Sequence, residues 1–200
     1  MDSAPIGICG VPEDMKTLRK LSLSLVVAIA AAIPSWRPLA GAETNAVPEW
    51  IGLYDSRAVA YAHFWSEPHQ REISALVKSA REARASGQTE RYQELNARLK
   101  REQERNHLQV FSTAPVDDLL AAMKDRMTHI QKEAGVARLV SKWDSKTLAE
   151  NQGAQRVDVT DRIVRVFKLT EKQMKMVGEI QKTRPLPLDK AEKLMREGKL

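Results

Sequence analysis

The chain of 200 residues carries 32 Lys and Arg against 26 Asp and Glu, a net charge of +6, and 42% of its residues are hydrophobic. That balance is too apolar for wholesale disorder, and nine Gly and nine Pro exclude collagen-like or low-complexity material. One Cys excludes a disulfide framework and a Cys-rich zinc module, and no apolar run reaches the roughly 18 residues of a membrane-spanning helix.

Near the start, Lys16, Arg19 and Lys20 precede the apolar run Leu21–Ile33, Pro34 breaks it, and the stretch ends in Ala40-Gly41-Ala42. A basic flank, a short apolar run and a small-x-small exit, in that order, predict a secretory signal peptide. The peptidase pockets admit only small side chains, which Ala40 and Ala42 supply. A normal signal would begin at Met15, so residues 1–14 are expected to be either a start-site overcall or a dispensable extension. Residues 1–42 are therefore expected to be removed. Glu43 stands where a lipoprotein would need Cys, and Cys9 is lost with the leader. The mature chain is expected to be free of lipid and of cysteine.

In the mature chain, Trp50–Asp55 predicts a short strand, with Ser56 capping a helix through Trp65. Ser66-Glu67-Pro68 restarts a helix that runs to Ser86, where Gly87 stops it, and a second helix follows from about Thr89 to about Leu108. The two are expected to fold back on each other as an antiparallel coiled coil, a projecting arm over about residues 67–110. Its seam takes Ile73, Leu76, Ala80 and Ala83 from the first helix and Tyr92, Leu95 and Leu99 from the second, in three-four spacing. Small residues face large ones at two of three layers. Lys78, Arg81, Arg84, Arg91 and Arg98 fall on the outer faces.

Past the breaker Ser112–Pro115, the residues Val116, Leu119, Leu120, Met123, Met127, Ile130 and Ala134 predict one amphipathic helix. Val136–Val140 predicts a strand, 144–155 a polar loop or helical turn, and Val157 and Val159 another strand. Thr160 is placed to cap a helix carrying Ile163, Val164, Val166 and Phe167. The segments Thr170-x-x-Gln173 and Asp189-x-x-Glu192 read as two capping boxes in a helical tail, 169–200. The expected class is α+β, mostly helical, with a small β-body.

Little here promises chemistry. His63 and His69 lie six apart with Pro68 between them, a spacing that does not share one helix face, and zinc usually takes three or four protein ligands at workable spacing. Ser56 lacks a nucleophile elbow or neighbouring base. Asp158 and Asp161 flank Thr160 as turn and cap residues do. No glycine-rich phosphate loop is present. We expect no catalytic residue, no metal and no cofactor, hence not an enzyme. The basic arm could meet phosphates, but export and the lack of a stacking platform argue against nucleic acid.

The order of elements, with Ile51-Gly-Leu-Tyr-Asp55, Glu133-Ala-Gly-Val-Ala-Arg-Leu-Val-Ser-Lys142 and above all Val157-Asp158-Val159-Thr160-Asp161, resembles the Skp (OmpH-like) periplasmic chaperones over about residues 50–168. The arm is shorter than is usual in that family, and the tail from Leu169 to Leu200 is extra. The resemblance implies a periplasmic homotrimer near a membrane surface, holding unfolded outer-membrane proteins without ATP. It also implies a client-binding role for the outer-face cations Lys78, Arg81, Arg84, Arg91 and Arg98. If those cations do not capture clients, the apolar residues near Phe64, Trp65 and Phe111 are the next site. The alternative is a periplasmic adaptor that uses the same scaffold to dock one dedicated partner.

The leader gives a direct expectation. N-terminal sequencing of exported protein should begin at Glu43, and a mature chain still starting at Met1 or Met15 would overturn the signal-peptide reading.

Overall fold

Trp50–Tyr54 forms the central strand (β1) of a three-stranded sheet, flanked by Arg138–Ser141 (β2) on one side and Gln155–Asp158 (β3) on the other. The structure, a computed structural model, describes residues 49–200, so the leader with Ala40 and Ala42 lies outside the described residues. Both pairings are parallel: Gly52 sits opposite Leu139 on one side and Val157 on the other. Parallel neighbours cannot be joined by a tight turn. The chain therefore spends a long helical excursion between β1 and β2, and the helix Ser145–Glu150 between β2 and β3.

In order, the excursion is Ser56–Phe64 (α1), Glu67–Ala85 (α2), Thr89–Phe111 (α3), Asp117–Ala122 (α4) and Lys124–Ala134 (α5). After Ser145–Glu150 (α6) and β3 come Thr160–Arg165 (α7), Glu171–Lys182 (α8) and Leu188–Arg196 (α9). The mostly helical α+β class stands. α2 and α3 pack on each other across the turn at Gly87, whose φ of 70° suits a residue without a Cβ. Leu76, Ala80 and Ala83 are buried, while Ile73, Tyr92, Leu95 and Leu99 are half-buried. α3 continues past Leu108 to Phe111.

Several local expectations are corrected. Asp55, not Ser56, caps α1, its carboxylate accepting from the Arg57 amide at 3.0 Å. The expected single helix over 116–134 breaks at Met123, whose φ of −116° and ψ of 28° leave the helical region, so the stripe is carried by α4 and α5. β2 starts at Arg138 and not at Val136. Val159 falls outside β3, and Thr160 is inside α7 and not its cap. The Thr170–Gln173 capping box forms, but Asp189 lies in the first turn of α9 behind Pro187, so the second box does not.

The core is arranged around α1. Val59 and Ala60 pack with Tyr54, Val116, Leu119, Met127, Ile130, Val159 and Ile163. Ala58 and Ala62 pack in a second cluster with Val164 and Val177. Alanines on α1 let neighbouring helices approach closely, which is how one short helix serves two clusters. Gly52 does the same for the sheet: a Cβ there would lie 2.9 Å from Leu139 Cδ2, 3.1 Å from Val159 Cγ2 and 3.2 Å from Val136 Cγ2. Residues 169–200 are not a loose tail, since Val177 and Ala191 are buried. The amide of Thr113 donates to the Leu186 carbonyl at 2.9 Å, and that of Leu186 to the Phe111 carbonyl at 3.0 Å.

At the carboxyl ends of the strands a buried polar knot closes the fold. Arg57 NH2 lies 2.9 Å from Asp55 Oδ2, with the two side chains only 3% and 1% exposed. The Trp143 indole N–H donates to Asp55 at 3.0 Å, and its ring lies 4.9 Å from the Arg57 guanidinium carbon. The Asp55 amide donates to the Thr160 hydroxyl at 3.0 Å, and Arg57 donates to the Thr183 carbonyl at 2.8 Å and to its hydroxyl at 3.2 Å. One three-residue motif thus ties β1, the segment after β2, the start of α7 and the end of α8.

Removing one partner of a buried, hydrogen-bonded ion pair strands the other charge. Asp55→Ala should therefore cost about 3–5 kcal/mol in urea unfolding, and adding Arg57→Met should restore part of it. A loss within ±0.5 kcal/mol, as at an ordinary surface position, would show the pair to be incidental.

Candidate functional site

In open sheets of parallel strands, ligands commonly sit beyond the carboxyl ends of the strands. Here the protein's own side chains fill that edge. Beside the Asp55–Arg57 knot, Lys142 pairs with Asp158, which also accepts from the Thr160 amide at 2.9 Å and hydroxyl at 2.6 Å. Burial pushes the Asp158 carboxyl up, but the hydrogen bonds from Lys142 and Thr160 outweigh it and hold the carboxyl below the usual carboxylate range. These groups are spoken for by one another.

The open surface lies on the other side of α1. Its last residue, Phe64, and the following Trp65 face the end of α3 at Val110 and Phe111, while α8 contributes Met176 and Ile180. Together they line a cleft of about 470 Å³, to which Thr183, Arg184, Leu186 and Leu200 also contribute. That volume suits a compact ligand or a few side chains. Among the described residues four large apolar side chains are strongly exposed: Trp50, Trp65 (41%), Phe111 (51%) and Met176 (45%). Three of the four line this one cleft, so the exposure is a patch and not scattered surface.

The local sequence explains the walls. α1 must end before Ser66-Glu67-Pro68, which leaves Phe64 and Trp65 at a helix terminus, their rings edge to face at 5.2 Å. Tyr61 meets Trp65 one turn along at 6.2 Å, and His107 meets Phe111 across one turn of α3 at 5.9 Å. Phe111 is held where α3 stops by the Leu186 amide on its carbonyl. Met176 and Ile180 are four apart on α8, hence on one face.

The sequence pointed to Phe64, Trp65 and Phe111 only as a second choice, and the structure brings all three together. Met176 and Ile180 were missed, and their i, i+4 spacing on a capped helix was the signal available. The five outer-face cations are exposed along α2 and α3, away from the cleft lining. Lys78 lies 3.9 Å from Glu82 and Arg98 lies 2.9 Å from Glu72. Arg84 stands over the Tyr92 ring at 5.8 Å. Arg81 and Arg91 have no carboxylate partner among the described residues.

His63 and His69 do not share a helix, but they meet because the break between α1 and α2 folds one back on the other with ring centroids 4.7 Å apart. Phe167 lies against His63 at 6.0 Å and Phe64 against His69 at 5.8 Å. His69 Nε2 is buried without a hydrogen-bond partner. Burial, then the neighbouring His69 and Arg105, pushes His63 down to about 4. Burial also lowers His69, with Arg105 adding to it and Glu102 and Glu72 opposing. Among the described residues no group of three or more His, Cys, Asp or Glu could hold a metal ion, and no helix is long and apolar enough to cross a membrane. Comparison with protein-family models, curated proteins and solved structures finds no match to this chain.

The histidine pair fixes a pH dependence. Between about pH 6.5 and 4 the unfolded chain binds protons that the folded His63 refuses, so stability is full above 6.5 and falls as pH drops toward 4. Thermal melts should show a declining midpoint over that window. His63→Gln together with His69→Gln should flatten the decline, and an unchanged slope would overturn the assignment.

Proposed function

We propose that this protein is a periplasmic, ATP-independent holdase-type chaperone for unfolded client proteins. In this reading α2 and α3 form a short antiparallel coiled-coil arm, and the working particle is a homotrimer built about the small sheet. The observation that carries the reading is the apolar cleft between α1, α3 and α8, where three exposed large side chains gather. Unfolded chains differ from folded ones in exposing apolar side chains, and a small apolar cleft that contacts a few such groups at a time can release them without fuel.

Basic residues on α2 and α3 support a second, long-range contribution, attracting acidic clients from within a Debye length of about 8 Å at physiological salt. Lys78 and Arg98 are already engaged with Glu82 and Glu72, so their share is the smaller. A binding role in place of catalysis is supported by the polar groups at the strand ends, which satisfy one another. The adaptor alternative has one observation in its favour, the confinement of the apolar surface to a single cleft of a few side chains' volume.

Aggregation of a diluted, unfolded outer-membrane protein tests the reading. The native protein should suppress aggregation of several unrelated substrates. Phe111→Ser with Met176→Gln, both at exposed positions, should abolish most of the effect at any salt. Changing Lys78, Arg81, Arg84, Arg91 and Arg98 together to Glu should slow capture only at low salt. Suppression of no substrate, with stoichiometric capture of one partner, would favour the adaptor. Light scattering on the same material should give about three times the subunit mass.

A further inference from the structure

We propose that Met176 is an oxidation site that switches the α1–α3–α8 cleft off: a peroxide-class oxidant converts its thioether to the sulfoxide, and the cleft then releases apolar ligands. This rests on the reading of the cleft as a binding surface and adds its regulation.

Access is the first argument. The chain has seven methionines, of which Met1 and Met15 lie outside the described residues. Met127 is 5% exposed in the core, Met123 and Met174 pack against the two core clusters, and Met195 is half-buried on α9. Met176 alone among the described methionines is strongly exposed, at 45%. Helix geometry explains the contrast with Met174. Residues two apart on an α-helix point about 200° apart, so α8 sends Met174 toward the cluster around Ala58 and Val164 and Met176 into the cleft. A thiolate would take the oxidant first, but the described residues hold no cysteine.

The second argument is what the change does at this place. A sulfur lone pair of Met176 attacks one peroxide oxygen and the O–O bond breaks. The proton left on the transferred oxygen passes to the departing hydroxide, which leaves as water. Sulfur is oxidised by two electrons and the peroxide is reduced by two. A flexible apolar side chain thereby becomes polar, with a strong hydrogen-bond acceptor. An apolar ligand seated against Trp65, Phe111 and Ile180 offers that oxygen no donor and shields it from water, so the acceptor is buried unsatisfied whenever the ligand binds. In the free protein the open cleft leaves the same oxygen hydrated, and folding is spared.

The probe is N-phenyl-1-naphthylamine, whose fluorescence rises in apolar surroundings. It is titrated into the mature protein before and after graded hydrogen peroxide, with peptide mapping by mass spectrometry and circular dichroism on each sample. Met176 should gain an oxygen before Met123, Met127, Met174 and Met195. The tight-binding fraction should fall in step with the Met176 sulfoxide, the oxidised form binding roughly tenfold more weakly, while the circular dichroism stays unchanged. Methionine sulfoxide reductases of both epimer specificities, with dithiothreitol, should restore the affinity. Met176→Gln, with an amide in place of the thioether, should match the oxidised protein without peroxide. Met176→Leu, at whatever affinity it starts, should be insensitive to peroxide, and Phe111→Ser should weaken the probe in every sample. Oxidation of another methionine first, affinity that does not follow the Met176 sulfoxide, no probe binding, or binding indifferent to Phe111→Ser overturns the proposal. The failures are separable. If affinity ignores the sulfoxide while untreated protein still suppresses aggregation, the switch fails and the holdase reading stands. If the switch works on the probe while no client is held, the holdase reading alone fails.

Discussion

The ion pair between Asp55 and Arg57 is the constraint on which the rest of the structure depends. A charge taken out of water is costly unless its partner and its remaining hydrogen bonds are all supplied. Each of those bonds here comes from a different part of the chain: Trp143 after β2, Thr160 at the start of α7, Thr183 after α8. The sheet, the helix after β3 and the C-terminal helices are thus obliged to meet at one point. Apolar packing around α1 supplies most of the driving force, while the polar knot dictates the arrangement in which that packing is satisfied.

The same knot decides where the open surface lies. By filling the carboxyl edge of a parallel sheet with Asp55, Trp143, Thr160 and the Lys142–Asp158 pair, the fold removes the usual crevice. Arg57 then reaches past α1 to the end of α8, and fastening Thr183 there helps bring Met176, Ile180 and Leu186 against Phe64, Trp65 and Phe111. The cleft is in this sense a by-product of the knot, with Arg57 in its wall and exposed Trp65, Phe111 and Met176 lining it. The histidine pair lies at the α1–α2 break next to those aromatics, with His69 against Phe64 at 5.8 Å.

The correction at residues 55–57 is instructive in this respect. Ser56 is a good cap by type, but Asp55 beside it can accept from the Arg57 amide and hold the Arg57 side chain at once. A neighbour that satisfies two groups displaces one that satisfies only the helix. Met123 shows the converse. A continuous apolar stripe does not require a continuous helix, because α4 and α5 present the same residues to the core across a break. Thr160 combines both effects: it accepts from Asp55 and donates to Asp158, so it serves the knot from inside the helix it was expected to cap.

Local order was therefore legible from spacing alone. The strand at Ile51, the stop at Gly87, the capping box at Thr170 and the helical character of α2, α3 and α8 all follow from periodicity and from the φ and hydrogen-bond preferences of single residues. The sequence also determined which residues were candidates for a site by chemistry, from the cations of α2 and α3 to the aromatic cluster. What only the tertiary structure decided was proximity between distant segments. His63 meets His69 because a helix break reverses the chain, and Met176 lines one cleft with Phe111, where Leu186 hydrogen-bonds to the end of α3. Periodicity reports which face of an element is apolar, and is silent on which other face it will touch. Long-range contacts are chosen by the joint satisfaction of buried charge and volume, which no local window contains.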